Sequence, residues 1–385
     1  MDLFIRNGNV LVGGSFQKTN ITVKNGRIFS LKEETNSQSL PELDGEHQKI
    51  VPGFIDIHTH GGMGADVNHS GFDDLHKISR FFASQGTTCF LASILTDTEE
   101  KTLWCIHQAA ESMDSRPCGA QLIGIHLEGP FLSSAYKGAM PEALLIKSDL
   151  TLFKKYQEAA GGHIKYITVS PEVEGVPEMI PDLVSLGVVV ALGHSGADYE
   201  TAMTCIKNGA TASTHTFNAM KLMHQHAPAI SGAALESDIY CEAICDGRHL
   251  HPGIIRLLLK TKGLDRVVAV TDSIMAAGLP DGRYKLGVND VFVKDGDAKL
   301  LDGTRAGSTL TTIQALKNLI QFTGRSLEEL IPLLTSNPAK LIHIDGRKGS
   351  IALDKDADLV LLDGNLNISA TVIGGEVAYR RNNGL

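Results

Sequence analysis

Six cysteines stand among 385 residues, at 89, 105, 118, 205, 241 and 245, and no two form a CxxC pair. That spacing suggests neither a thiolate zinc site nor a disulfide framework, so these residues are expected to be buried, uncatalytic thiols. Long hydrophobic runs are also missing. No stretch reaches the roughly 18 apolar residues that a membrane helix needs, and residues 1–14 lack the basic start and apolar core of a signal peptide. A cytoplasmic protein with no membrane association is therefore expected. Positive charge is in deficit, with 35 Lys and Arg against 44 Asp and Glu for a net charge of −9. A nucleic-acid partner is excluded on that ground, because such binding needs a basic face that releases counterions from phosphates. No glycine-rich turn follows a first strand either, which argues against an open nucleotide-binding sheet.

What is present describes an ordinary α/β enzyme: 43% hydrophobic residues, 21% charged residues and 39 glycines. The length suits one (β/α)8 barrel of about 250 residues with a smaller accessory module. Residues 1–50 read as short strands joined by turns at Gly8-Asn9 and Asn25-Gly26, and residues 345–385 have the same texture. These ends are expected to form one composite β-sandwich domain, with the barrel over 51–344. Within it, β-branched apolar runs recur at 50–60, 89–95, 121–129, 164–170, 187–194, 210–215, 239–246 and 266–272, each followed by a helix-like segment. Eight such runs suffice to close a TIM-type barrel. Residues 308–322 also have a helical pattern, and Ser336 with Pro338 marks a further helix start.

Metal-competent side chains fall at the C-terminal ends of these runs, the rim where barrel active sites are built. The first run ends Asp56-Ile57-His58-Thr59-His60, and strand alternation puts both histidines on one side. Alone, the pair could equally be two rim histidines bonded to backbone. Glu128, closing the third run, is a costly buried charge unless a cation or an Arg or Lys partner compensates it. His194, His215 and Asp272 close the fifth, sixth and eighth runs. Together these residues predict a divalent metal site held by Glu128, His194 and His215, and a second held by His58 and His60, at the ~3.5–4 Å spacing of paired-metal centres. Such an ion lowers the pKa of a bound water to about 7, and Asp272 is then the natural general base and acid.

Taken in order, residues 51–62, His126-Leu127-Glu128-Gly129-Pro130-Phe131, Gly193-His194-Ser195, 214–220, Asp246-Gly247-Arg248-His249 and Thr271-Asp272 resemble the N-acetylglucosamine-6-phosphate deacetylases. Residues 349–360 are similar to the closing β module of the amidohydrolase superfamily. The resemblance implies a homodimer with zinc or iron, one or two ions per subunit, hydrolysing the acetamide of an N-acetylhexosamine 6-phosphate. It also implies Asp272 as the catalytic residue and Glu128, His194 and His215 as metal ligands, with His58 and His60 marking the members able to bind two ions. Ala139, Asn218, Ala219, His249, Ala306 and Gly307 match positions that contact substrate. Three departures bear on specificity. Met140 stands where a histidine is common, His226 where an arginine normally binds the phosphate, often from the neighbouring subunit, and Arg248 where the residue is usually apolar. His226 and Arg248 are the candidates for phosphate contact. Two other readings remain: an amidohydrolase acting on an N-acetylgalactosamine 6-phosphate, an unphosphorylated amino sugar or an N-acyl amino acid, and a non-catalytic sugar-binding relic.

Overall fold

The computed structural model describes residues 1–32, 40–115 and 118–381; residues 33–39 and 382–385 of the two terminal segments lie outside it. Eight parallel strands follow one another around a barrel: Phe54–Asp56, Thr87–Leu95, Gln121–Glu128, Ile164–Val169, Val189–Leu192, Ala212–Ser213, Tyr240–Ile244 and Val267–Val270. The first and eighth strands meet through fewer bonds than the others. Asp56 accepts from the Thr271 hydroxyl at 2.6 Å, the Asp272 N–H donates to the His58 carbonyl at 2.9 Å, and Thr59 bridges Ser273. A helix follows each strand in turn, and several begin on the side-chain caps that free helical N–H groups call for. Thr98 accepts from Lys101 before Glu99–Asp114, Asp149 from Leu152 before Leu150–Ala159, and Asp198 from Thr201 before Tyr199–Lys207.

Both chain termini build a separate eight-stranded sheet. Glu376–Arg380, Ile368–Ile373, Leu359–Leu362, Lys49–Pro52, Leu3–Val12, Ser15–Lys24 and Arg27–Lys32 lie in that order, and Glu42–Asp44 adds to Leu3–Val12. Its apolar face buries Ile5, Val10, Ile21, Val23, Ile50 and Leu359 completely. The Asn25-Gly26 turn has both residues at positive φ, 51° and 76°, as a tight hairpin requires. Gly8-Asn9, by contrast, is no turn. Leu3–Val12 is one strand with a bulge between Ile5 and Gly8, where Asn7 turns left-handed (φ 59°) and its N–H donates to Asn20.

Three other stretches differ in extent from the pattern. The 50–60 run divides, because Lys49–Pro52 pairs with Leu359–Leu362 in the terminal sheet and the barrel strand begins only at Phe54. The helix expected from Ser308 starts at Thr312, since Ser308 is held at the barrel mouth by its N–H to the Asp272 carbonyl. Ser336 lies inside the helix Ser336–Leu341 rather than capping it. Five cysteines are buried and Cys118 half-buried; burial pushes the Cys89, Cys105 and Cys205 thiols up to about 12, so they stay unreactive. Among the described residues, no helix is long and apolar enough to cross a membrane.

Candidate metal centre and substrate cavity

Chain direction does most of the positioning. Side chains leaving the C-terminal ends of the first, third, fifth, sixth and eighth strands all converge on one mouth of the barrel. His194, His215 and Asp272 come just after their strands end, and each has a left-handed backbone, with φ of 47°, 27° and 48°. Non-glycine residues rarely adopt that conformation, and it re-aims each side chain across the rim. Gly129, after Glu128, is needed for a similar reason: at φ 95° any Cβ would sit 2.1 Å from the Thr96 hydroxyl.

Two buried triads result, His58 with His60 and Asp272, and Glu128 with His194 and His215. Glu128 touches both. Its Oε1 lies 3.1 Å from His194 Nε2 and 3.2 Å from His215 Nε2, while Oε2 lies 3.2 Å from His60 Nε2. Asp272 Oδ1 is 3.2 Å from His60 Nε2 and 3.7 Å from His58 Nε2. The outer ring nitrogens are mostly fixed by protein acceptors: His60 Nδ1 by the Ser93 carbonyl at 3.0 Å, His194 Nδ1 by the Tyr136 carbonyl at 2.9 Å, and His58 Nδ1 by Glu242 at 2.9 Å. Those bonds leave the Nε2 lone pairs pointing inward, the arrangement found around metal ions in proteins. His58 Nε2 and His60 Nε2 stand 3.3 Å apart. Neutral imidazoles aimed at one another and at carboxylates fit a divalent cation, which would draw together groups that otherwise need shared protons.

The electrostatics show that strain. Burial alone would raise Glu128, but His58, His194 and His215 outweigh it and hold the carboxyl well below its ordinary range. Burial lowers His60, yet its bonds to Asp272 and Glu128 lift it to about 9. His126, beneath the triads, goes the other way: burial and then the neighbouring His58 hold it well below its usual value, and it bonds Ser93 and Thr168 as a neutral ring.

A cavity of about 480 Å3 opens over the triads. Of the residues expected to contact substrate, Ala139, Asn218, Ala219, His249, Ala306 and Gly307 line it, as do His60, Glu128, His194, His215 and Asp272. Gly307 sits at φ 59°, where a Cβ would come 2.9 Å from the Asp272 carbonyl. His249 is oriented by Asp246, which accepts from Nδ1 at 2.7 Å and so leaves Nε2 for a ligand. Met140 also lines the cavity, but it is buried in an apolar cluster with Leu95, Leu132, Ile274 and Leu286, surroundings that suit a thioether better than an imidazole. His226 and Arg248 do not line it. His226 lies exposed beside His224 and Gln225, and Arg248 donates to the Asp295 carbonyl in the hairpin turn between the strands Asn289–Lys294 and Asp297–Lys299.

Sequence reasoning missed two cations at this cavity, Lys137 and Arg305. Read in sequence, each is one basic residue among many, and only the fold brings them over the triads. It missed Glu242 as well, although the signal that singled out Glu128, a carboxylate in an apolar strand, was there.

Metal-ligand triads at the C-terminal mouth of a (β/α)8 barrel, beside a sheet made from both termini, define a metal-dependent hydrolase fold. Residues 50–378 match the amidohydrolase family, and the chain belongs to it. Within that family it is 38% identical to the N-acetylglucosamine-6-phosphate deacetylase of Bacillus subtilis (strain 168) over 365 residues, 93% of this chain and 92% of that one. It is 32% identical to the enzyme of the same name from Lysinibacillus sphaericus, over 100% of this chain and 99% of that one. The crystal structure of N-acetylglucosamine-6-phosphate deacetylase from Pasteurella multocida superposes with a TM-score of 0.93 at 30% identity, covering 99% of this chain and 100% of that one.

Proposed function

We propose that the chain is a metal-dependent deacetylase that hydrolyses the acetamide of an N-acetylhexosamine 6-phosphate, N-acetylglucosamine 6-phosphate above all, to the amino sugar phosphate and acetate. The observation that carries this reading is Glu128, with one oxygen on each triad, at the foot of a cavity that Asp272 also lines. The substrate named for the full-length relatives gives the sugar. Glu128, His194 and His215 would hold one ion, and His58, His60 and Asp272 a second; imidazole with carboxylate suits zinc or iron. A divalent ion there supplies an activated water at neutral pH and polarises the acetamide carbonyl.

The chain's own groups do the rest. Asp272 takes a proton from the attacking water and returns it to the sugar nitrogen, which leaves poorly as an anion. Asn218 and His249 orient the ring, with Ala139, Ala219, Ala306 and Gly307 shaping the wall. Lys137 and Arg305 bring positive charge to the same cavity for the 6-phosphate. Leu222 and Met223 are 82% and 54% exposed on the loop that leads from Asn218 to His226. We take that loop as the face covered by a second copy in a cytoplasmic homodimer, an arrangement that would bring His226 to the partner's cavity.

A second reading, turnover of an unphosphorylated or differently acylated amine, is favoured by Met140 and by the placement of His226 outside its own cavity. A sugar-binding relic has no use for Asp272 beside intact ligands. The test is acetate release from N-acetylated hexosamines and their 6-phosphates, with metal analysis of the same sample. A strong preference for the phosphorylated sugar supports the first reading. Comparable rates on plain sugars support the second, and no acetate from any of them leaves a differently acylated amine or the relic.

A further inference from the structure

Glu242 lies mid-way along the seventh barrel strand, Tyr240–Ile244, and is completely buried. A carboxylate is a costly choice at a position where an apolar side chain would pack, so its partners show what it does. They number three. Its Oε2 accepts from His58 Nδ1 at 2.9 Å and from the His215 main-chain N–H at 2.9 Å, and its Oε1 accepts from the Tyr166 hydroxyl at 2.6 Å. Among the described residues, its ion-pair partner within 4.0 Å is His58 rather than any lysine or arginine. One oxygen thus reaches a ligand from each triad, His58 by its ring and His215 by its backbone.

The two contacts do different work. An acceptor on Nδ1 fixes the proton there and leaves Nε2, the atom facing His60 and Asp272, as the donor to an ion. The bond to His215 steadies a residue whose φ of 27° is unfavourable for a side-chain-bearing residue. His215 has other anchors close by, since the Thr214 N–H donates to the Leu192 carbonyl and the Thr216 N–H to the main-chain carbonyl of residue 242. Among the described residues His58 Nδ1 has only the Glu242 carboxylate as acceptor, so the loss falls mainly on the His58 triad.

We propose that Glu242, held by Tyr166, is a positioning residue that sets the tautomer of His58, so that the ion held by His58, His60 and Asp272 depends on it more than the ion held by Glu128, His194 and His215. This rests on the metal-centre reading given above. It assigns Glu242 no contact with substrate, only the orientation of ligands.

Calorimetric titration of metal-stripped protein with zinc tests it, using wild type, Glu242→Leu, Glu242→Gln and Tyr166→Phe. Wild type is expected to take up two ions per chain. Glu242→Leu keeps side-chain bulk but offers no acceptor, and it is expected to weaken the second ion about 10–100-fold while the first stays within a few-fold. Glu242→Gln can turn its amide oxygen to His58 and its nitrogen to the Tyr166 hydroxyl, so it is expected to recover most of the affinity. Tyr166→Phe leaves the carboxylate unsteadied and is expected to fall between, which keeps the idea testable should the leucine variant fail to fold. Nitrogen chemical shifts of labelled His58 should report a protonated Nδ1 in wild type and in Glu242→Gln. Wild-type uptake of both ions by Glu242→Leu, equal loss of both, or an unchanged second ion in Tyr166→Phe overturns the proposal. Two ions in wild type with any of these results leaves the metal-centre reading standing. A single ion in wild type overturns the Glu242 role together with the second site, and no ion at all overturns the metal centre itself.

Discussion

His194 Nε2 and His215 Nε2 lie 3.0 Å apart, and Oε1 of Glu128 stands within 3.2 Å of both. Three electron-rich atoms drawn from three strands crowd one point, and a shared cation is what makes that arrangement favourable. Stripping divalent metal with a chelator is therefore expected to abolish acetate release, and returning the metal to restore it. His194→Ala and His215→Ala are each expected to lower kcat/KM by about 10³-fold or more, equivalent to at least about 4 kcal/mol of transition-state stabilisation. Metal content measured beside activity separates this from misfolding.

Asp272 reaches His60 but takes no part in the Glu128 triad. Asp272→Asn is thus expected to keep the ion at Glu128, His194 and His215 while kcat falls about 10²–10⁴-fold, the range for losing a positioned proton carrier. Steady-state kinetics with elemental analysis of the same preparation checks both halves. Unchanged kcat would remove the role assigned to Asp272.

Phosphate selectivity is expected to rest on Lys137 and Arg305. Lys137→Met and Arg305→Met should each raise KM for an N-acetylhexosamine 6-phosphate about 10-fold or more, the scale of a charged hydrogen bond, and leave KM for the plain sugar nearly unchanged. Arg248→Met should change neither, because Arg248 does not line the cavity that Lys137 and Arg305 share. Comparing KM on the two sugars tells these outcomes apart.

Lys348 ties the terminal sheet to the barrel. Its ammonium lies 2.5 Å from Asp358 and 3.1 Å from Asp356, and it donates to Gln121 of the third barrel strand at 2.7 Å. Burial alone would lower it, but Asp358 above all, with Asp356, holds it above its ordinary value. A lysine raised on folding contributes stability that is fully present below its unfolded pKa and is lost as pH rises through the folded one, so neutral pH keeps it whole. Lys348→Met strands the buried Asp358 carboxylate, while Asp356 keeps Arg347, and should cost about 3–5 kcal/mol at pH 7. Denaturant melts should show wild type and variant converging only well above pH 10.

Much of the barrel was legible because its strands are apolar, β-branched and regularly spaced, and because His58, His60, Glu128, His194, His215 and Asp272 each close such a run. Local sequence carries that signal. What escaped depends on tertiary neighbours. Glu242 carries the mark that Glu128 carries, a carboxylate in an apolar run, but it lies mid-strand rather than at the strand end, and its role shows only once Tyr166 and His58 are beside it. Lys137 and Arg305 look like surface cations until the loops that carry them fold over the mouth. Arg248 looked available for phosphate because nothing in the sequence shows the hairpin carbonyl that claims it. The helix expected from Ser308 begins four residues later because that serine serves the barrel mouth first.

The most direct test of the account is acetate released from N-acetylglucosamine 6-phosphate by one preparation, assayed after metal stripping and again after reloading with zinc or iron. The account predicts acetate and amino sugar phosphate in equal amounts from the reloaded protein and none from the stripped one. Acetate at the same rate from both, or from neither, would contradict it.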